Sequence, residues 1–440
     1  MPEIYELTAS DLLRLIKKNE LSPPKVFQHL KERIEKTEPK VRAWAHLDFS
    51  STEKISKQFA SVDCKKKLHG IPVGIKDVLN TADFHTEMGS PIWKGFTPGN
   101  DARVVSDLKY ENGYVMGKTQ TSEFAVHALT ETRNPHDLKR VPGTSSSGSA
   151  AAVAAGMVPV SLGTQTGGSV IRPASYCGIF GYKPSFGLVP RTGVLKTTDT
   201  LDTIGWFARS IEDISLIFEI VRVKGLDYPY VDRNVKASKF GKTLKVGLFK
   251  GPKWKFASRE AADQILKFAD NLEKSGRFLV TEFEMPEHDE IMESHETIYC
   301  KALSYYFKSE VRNSRTDITS VLSGMLDKGD LISPAKYLEE IERQAAISAS
   351  FDKKLDVDVI IGLTAAGEAP LLMDSDIPDS CWPWTYLGMP VINLPIFSGR
   401  NGLPVGLQLT SRKYSDYKVL KTADMLWKMS GGKIRIPKLN

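Results

Sequence analysis

The stretch Val158-Pro159-Val160-Ser161-Leu162-Gly163-Thr164-Gln165-Thr166-Gly167-Gly168-Ser169 runs from an apolar segment straight into a glycine-rich loop. Just before it, Pro142-Gly143-Thr144-Ser145-Ser146-Ser147-Gly148-Ser149 opens an alanine-rich segment over 149–157. The alanines read as a helix, 158–162 as a strand, and the glycine–serine stretches as the loops around them. Strand, loop and helix in alternation favour an α/β organisation.

The pattern continues outward from this centre. Thr8 or Ser10 can cap a helix through Leu12, Leu13, Leu15 and Ile16, and Ser22-Pro23-Pro24 starts a second, with proline in its permissive first turn. Residues 70–75 read as a buried strand ending at Lys76-Asp77, 104–108 as a helix and 114–117 as a strand. A polar stretch, 225–243, reads as a linking loop. Beyond it, strands are expected over 244–249, 278–283, 357–362, 391–394 and 405–409. Helices are expected over 259–272 and near 290–312 and 333–354. Strands on both sides of the linker imply one large sheet in a single domain over 1–440. Its parts would be an N-terminal helical segment (1–60), a catalytic core (70–215), a peripheral helical elaboration (225–340) and a return to the core sheet (355–430).

Composition narrows the class. With 440 residues, 41% hydrophobic and 25% charged, the chain can bury a sizeable core without staples. Cys64, Cys177, Cys300 and Cys381 lie far apart and form no CxxC or Cys/His pattern, which argues against a disulfide scaffold or structural zinc. A reducing, cytoplasmic setting is expected. The first twenty residues carry acids and no apolar core of a secretory signal, and no run of 18 apolar residues occurs, so no membrane span is expected. The net charge of +6 comes from scattered lysines, without the basic stripe and interleaved aromatics of a nucleic-acid binder.

Several residues could carry chemistry. The serine cluster of 145–149 is no phosphate loop, because no Gly-Lys-Ser/Thr ends it, and a serine there could simply cap the helix. In the second loop, two glycines before Ser169 let backbone N–H groups converge on one point, as stabilising a developing oxyanion requires. A type II turn explains Gly167-Gly168 equally well. A serine nucleophile needs a base. None of the eight histidines lies in either loop, and His69, His85 and His127 are most simply solvated or core residues. Lys76, at the end of a buried strand, is the alternative, or else a lysine snorkelling at a strand end. Taking its pKa from about 10.4 to about 7 costs roughly 4–5 kcal/mol, within reach of burial. Asp77, on the opposite face of the strand, need not pair with it.

The order of these pieces resembles the amidase signature family. Gly70-Ile71-Pro72-Val73-Gly74-Ile75-Lys76-Asp77 comes first, followed by the serine-rich loop and the Gly-Gly-Ser loop. Tyr176-Cys177-Gly178 and Gly181-Tyr182-Lys183-Pro184 then follow, and later Gly402-Leu403-Pro404-Val405-Gly406. The resemblance implies a large mixed, mostly parallel twisted β-sheet flanked by helices on both faces. It implies an amidase working through an acyl-enzyme, with Ser169 as nucleophile, Ser145 as the bridging serine on a cis peptide bond, and Lys76 as base. The N–H groups of Thr166, Gly167, Gly168 and Ser169 would form the oxyanion hole, with no metal and no cofactor. Thr144 departs from the family's usual glycine at that place.

The arginine three residues after Ser169 makes the segment most similar to malonamidase-type members. On that likeness Arg172 binds the free carboxylate of a short dicarboxylic monoamide; otherwise it pairs with a nearby Asp or Glu and braces the loop. Residues around 290–340 and 364–386, Trp382 and Trp384 among them, are candidates to line the acyl pocket. A small-molecule amide is the expected partner, with a homodimer expected from similar enzymes. Two other readings stand beside it: the glutaminase (A) subunit of a tRNA-dependent amidotransferase, and a catalytically inactive binding member of the family. Cys177 as a nitrilase-like nucleophile is a minor fourth, since most single cysteines are buried packing groups.

Overall fold

The computed structural model describes residues 3–61, 65–224, 243–374 and 379–439. Its strands are β1 (Trp44–Leu47), β2 (Pro72–Lys76), β3 (Tyr114–Thr119), β4 (Val160–Gln165), β5 (Phe180–Lys183), β6 (Thr203–Ala208), β7 (Leu244–Phe249), β8 (Phe278–Phe283), β9 (Val359–Leu363), β10 (Val391–Ser398) and β11 (Pro404–Thr410). They form one sheet in the order β1-β3-β2-β4-β6-β5-β10-β11-β9-β7-β8. Helices flank it, giving the α/β architecture expected.

Two expectations need correction. The sheet is mixed but not mostly parallel: only β3–β2, β2–β4, β9–β7 and β7–β8 pair in parallel, while the other six pairings are antiparallel. Helical crossovers serve the two parallel groups, and the middle of the sheet is joined by antiparallel neighbours, which need none. The stretch 225–340 is also more than a helical elaboration, because β7 and β8 extend the sheet to its far edge. The linker expected over 225–243 lies almost wholly outside the described residues.

Local chemistry explains the elements around the centre. The helix Ser147–Ala154 is buried along its whole length and packs on β2, β4 and β6. A helix apolar all round belongs inside. The helix Ile171–Tyr176, also wholly buried, packs on β5, β10 and β11. Each of the two glycine–serine loops therefore leads into a central helix. β2, β3 and β4 are buried at every position and run in parallel, so their carboxyl ends emerge together. Such ends are where open α/β sheets place ligands.

At the N-terminus Thr8 caps the helix Ala9–Lys17 through the Asp11 amide, and Ser22-Pro23 opens the helix Pro23–Val41. Among the described residues no helix is long and apolar enough to cross a membrane. Cys177, Cys300 and Cys381 are free and buried, while Cys64 lies outside the described residues.

Candidate active site

Lys76 ends β2 with no exposed surface. Its Nζ lies 2.7 Å from Ser145 Oγ and 2.8 Å from Thr164 Oγ1. Burial among hydroxyls holds the ammonium well below its ordinary pKa, and the charge of Asp202 opposes this only in part. Asp77 turns to the other face, where its carboxylate is 3.0 Å from Lys118 Nζ. The snorkelling reading of Lys76 does not survive its complete burial.

The serine-rich loop is fastened to the glycine loop on both sides of Ser145. Ser146 Oγ donates to the Thr164 carbonyl at 3.1 Å and accepts from the Thr164 amide at 3.3 Å. On the other side Arg172 Nη2 donates to Thr144 Oγ1 at 2.5 Å, and Pro173 closes on Gly143, whose φ is +97°. Helix capping is not what these serines do: Ser146, at the N-cap position of Ser147–Ala154, makes no side-chain cap bond, and Ser149 Oγ instead donates to the Leu162 carbonyl at 2.7 Å. The Thr144–Ser145 peptide is cis.

Ser169 is buried, 5% exposed, and follows the two glycines. Neither glycine has a positive φ, so the type II turn is excluded. They are glycines because of what presses on them. A Cβ on Gly167 would stand 3.0 Å from the Trp382 ring, and one on Gly168 would stand 2.9 Å from Asp379 Oδ2. The Gln165 side chain takes the next two amides, accepting from Val170 and Ile171 at 2.8 and 3.0 Å. The amides of Gly167, Gly168 and Ser169 donate to no acceptor among the described residues. Thr166 is held by Asp202, which accepts from its hydroxyl at 2.8 Å.

Arg172 is buried, with Nη1 2.9 Å from Asp379 Oδ2. With Thr144 Oγ1 on Nη2, the guanidinium ties the two loops to the 379–381 turn, where Asp379 Oδ1 also accepts from the Cys381 amide at 2.9 Å. These contacts favour the brace over the carboxylate grip. The departure at Thr144 acquires a reason, since a glycine there would offer Arg172 no hydroxyl. Cys177 is sealed against Pro142 O at 3.5 Å, and burial pushes its thiol pKa far up, which removes it as a nucleophile.

Asp202 escaped the sequence reading, His295, Tyr299 and Asp379 fell within the stretches 290–340 and 364–386 offered for the pocket without being singled out, and His127 was read only as a solvated or core histidine. Trp382, one of the two tryptophans suggested for the pocket, does reach the loop at Gly167; Trp384 packs instead on Phe249 at 5.2 Å. Among the described residues no group of three or more His, Cys, Asp or Glu could hold a metal ion.

In this α/β fold a buried lysine at the end of a parallel strand meets Ser145 and Thr164, beside the loop that carries Ser169. The sequence pattern of the family described as Amidase matches residues 25–420, so the chain belongs to that family, and it is a hydrolase of amide C–N bonds. The A subunit of the glutamyl-tRNA(Gln) amidotransferase of Halothermothrix orenii is 31% identical over 484 aligned residues, covering 99% of this chain and all of that protein. Among solved structures, the corresponding glutamyl-tRNA(Gln) amidotransferase protein of Thermotoga maritima superposes with a TM-score of 0.84 at 28% identity, covering 100% of this chain and 99% of that one. The peptide amidase of Stenotrophomonas maltophilia superposes with a TM-score of 0.85 at 25% identity, covering 100% of both chains.

Proposed function

We propose that this chain hydrolyses a carboxamide to a carboxylate and ammonia through Ser169, Ser145 and Lys76. The observation that carries the reading is the Lys76–Ser145 contact of 2.7 Å around an amine with no exposed surface. Burial holds this lysine well below its ordinary pKa and so favours the neutral amine, whose lone pair can accept a proton. Ser169 Oγ attacks the amide carbon while its proton passes to Ser145 and the Ser145 proton to Lys76. The negative oxygen falls to the N–H groups of Thr166, Gly167, Gly168 and Ser169. The same path returns a proton to the nitrogen as the C–N bond breaks, leaving an acyl ester on Ser169. Water, activated through Ser145, then releases the acid. No step calls for a metal or a cofactor.

The malonamate-like preference draws no support from the Arg172–Asp379 pair, and Arg172 is read here as a brace. Arg172→Met should then reduce turnover of acidic and neutral amides alike, by about tenfold or more; selective loss on acidic amides would restore the carboxylate grip. A second reading is favoured by the relatives: a glutaminase component delivering ammonia within an amidotransferase, since the Halothermothrix orenii protein aligns over 99% of this chain. It predicts stable association with other proteins of such an assembly, whereas the stand-alone reading predicts a homodimer, and light scattering of the chain isolated from its own cells separates them.

The test is ammonia release from glutamine, malonamate, propionamide and benzamide, each against Ser169→Ala. Complete loss in the variant with the fold retained is expected. Turnover at the wild-type rate without the Ser169 hydroxyl would remove it as nucleophile.

A further inference from the structure

Four rings close over the Thr166–Gly167 end of the glycine loop. The His127 imidazole stacks on Trp382 with centroids 5.3 Å apart and meets Tyr299 edge-on at 5.8 Å. His295 lies 4.6 Å from Trp382 and 6.0 Å from Tyr299. His295 and Tyr299 are fully buried, while His127 and Trp382 form a half-buried rim. Because Trp382 also touches Gly167, the cluster is continuous with the loop that carries Ser169.

The tautomer of His295 follows from its partner. Its Nε2 is 2.8 Å from the Thr166 carbonyl oxygen, which only accepts, so Nε2 carries the proton. Burial lowers the pKa of this imidazole to about 4 and that of His127 to about 3, so both are neutral near pH 7. His295 Nδ1 is then an obligate acceptor. It has no hydrogen-bond partner among the described residues, nor do His127 Nε2 and Tyr299 Oη, and all three atoms are shut off from solvent. Each forfeits a hydrogen bond it could make in water, a cost that phenylalanines filling the same space would avoid. Three such atoms behind one half-buried rim make sense if a group that parts the rim of His127 and Trp382 satisfies them.

We propose that His127, His295, Tyr299 and Trp382 form the specificity wall of the site, and that it selects an uncharged acyl group carrying an N–H or O–H donor. This inference rests on the serine amidase reading for its place beside Ser169. When ammonia is the leaving group, every other part of the substrate belongs to the acyl side, so a side wall there reads the acyl group. A second carboxamide, a ureido group or a hydroxyl donates to His295 Nδ1 and still offers an oxygen to Tyr299. A carboxylate only accepts. It would set its charge against the His295 lone pair beside two neutral imidazoles, with Arg172 already engaged by Asp379.

The experiment compares kcat/KM for ammonia release from three amides of like size: malonamide, acetoacetamide and malonamate. Their far ends are a donor amide, a ketone and a carboxylate. Malonamide should lead both others by about tenfold or more, the value of one well-made hydrogen bond. His295→Phe, which removes the acceptor Nδ1, and the rim variant His127→Phe should each shrink the malonamide-to-acetoacetamide ratio by about tenfold, while Tyr299→Phe should slow both amides alike, since a ketone oxygen accepts from it as a carboxamide oxygen does; the rim position keeps the test open if the buried one fails to fold. A lead for acetoacetamide or malonamate, or a ratio unmoved in both histidine variants, overturns the inference. Release that persists in Ser169→Ala would instead sink the serine reading. Calorimetric titration of the three amides into Ser169→Ala, with no turnover involved, then still ranks their binding and decides the wall on its own.

Discussion

Two lysines stand side by side on parallel strands and show what burial does with and without a counter-charge. Lys76 ends β2; Lys118 is one residue from the end of β3, in register with Ile75. Both are completely buried. Because side chains alternate along a strand, the two amines leave on opposite faces. Lys118 meets Asp77 at 3.0 Å, the His85 carbonyl at 3.0 Å and Thr86 Oγ1 at 2.6 Å. Burial pulls its pKa down while Asp77 holds it up, and an ion pair is the result. Among the described residues Lys76 finds only the hydroxyls of Ser145 and Thr164, and burial dominates. One lysine is braced by a counter-charge, while burial of the other favours the neutral amine that the proposed mechanism requires. The sequence Lys76-Asp77 makes this division by sending the Lys76 amine to one face and the Asp77 carboxylate to the other.

The comparison breaks most visibly in catalysis. Lys76→Ala should lower kcat/KM by about 10²–10⁴-fold at neutral pH, the range of a positioned general base; a loss under about tenfold would point to a different base. Stability should behave in the opposite way. Lys118→Met leaves Asp77 buried and unpaired, so chemical denaturation should show a loss of about 3–5 kcal/mol. Lys76→Met strips out an amine that is costly to protonate and should lose no more than about 1–2 kcal/mol. Equal losses would erase the distinction. The sign of the pH dependence follows as well. With the folded pKa of Lys76 below 10.5, the unfolded chain binds that proton more tightly. Wild-type stability should therefore gain from this group as pH rises from the folded pKa toward 10.5, and Lys76→Met should remove the gain.

The smallest effect concerns Asp202, whose negative charge favours protonated Lys76. Asp202→Asn should move the acid limb of kcat/KM to lower pH, by about half a unit to one unit. A limb displaced to higher pH would contradict the electrostatic account.

What could be read in the sequence was whatever sits in one continuous motif. β7 and β8 match the expected 244–249 and 278–283, because each is a short apolar run bounded by turn residues. β1, β5 and β6 escaped. Two of them are only four residues long, and β6, Thr203-Ile204-Gly205-Trp206-Phe207-Ala208, is buried at every position, so no alternation marks it. The same limit applies at the site. Lys76, Ser145 and Ser169 each stand in a motif with fixed neighbours. Asp202 meets Thr166 from 36 residues away, His295 from 129, and Asp379 meets Arg172 from 207, distances at which spacing carries no signal. Arg172 illustrates the cost, because its position left a substrate carboxylate and a bracing Asp or Glu equally open and only the fold revealed Asp379. Gly167 and Gly168 illustrate a gain, since their need for space was legible while the side chains requiring it, Trp382 and Asp379, were not.

The central claim is that the nucleophile is Ser169, activated from Lys76. It is tested most directly by treating the protein with a serine-directed fluorophosphonate and mapping the adduct by peptide mass spectrometry. The account predicts a single adduct on the peptide carrying Ser169, absent from Ser169→Ala and strongly slowed in Lys76→Ala at neutral pH. An adduct elsewhere, or equal labelling of Ser169 with and without the Lys76 amine, would contradict it.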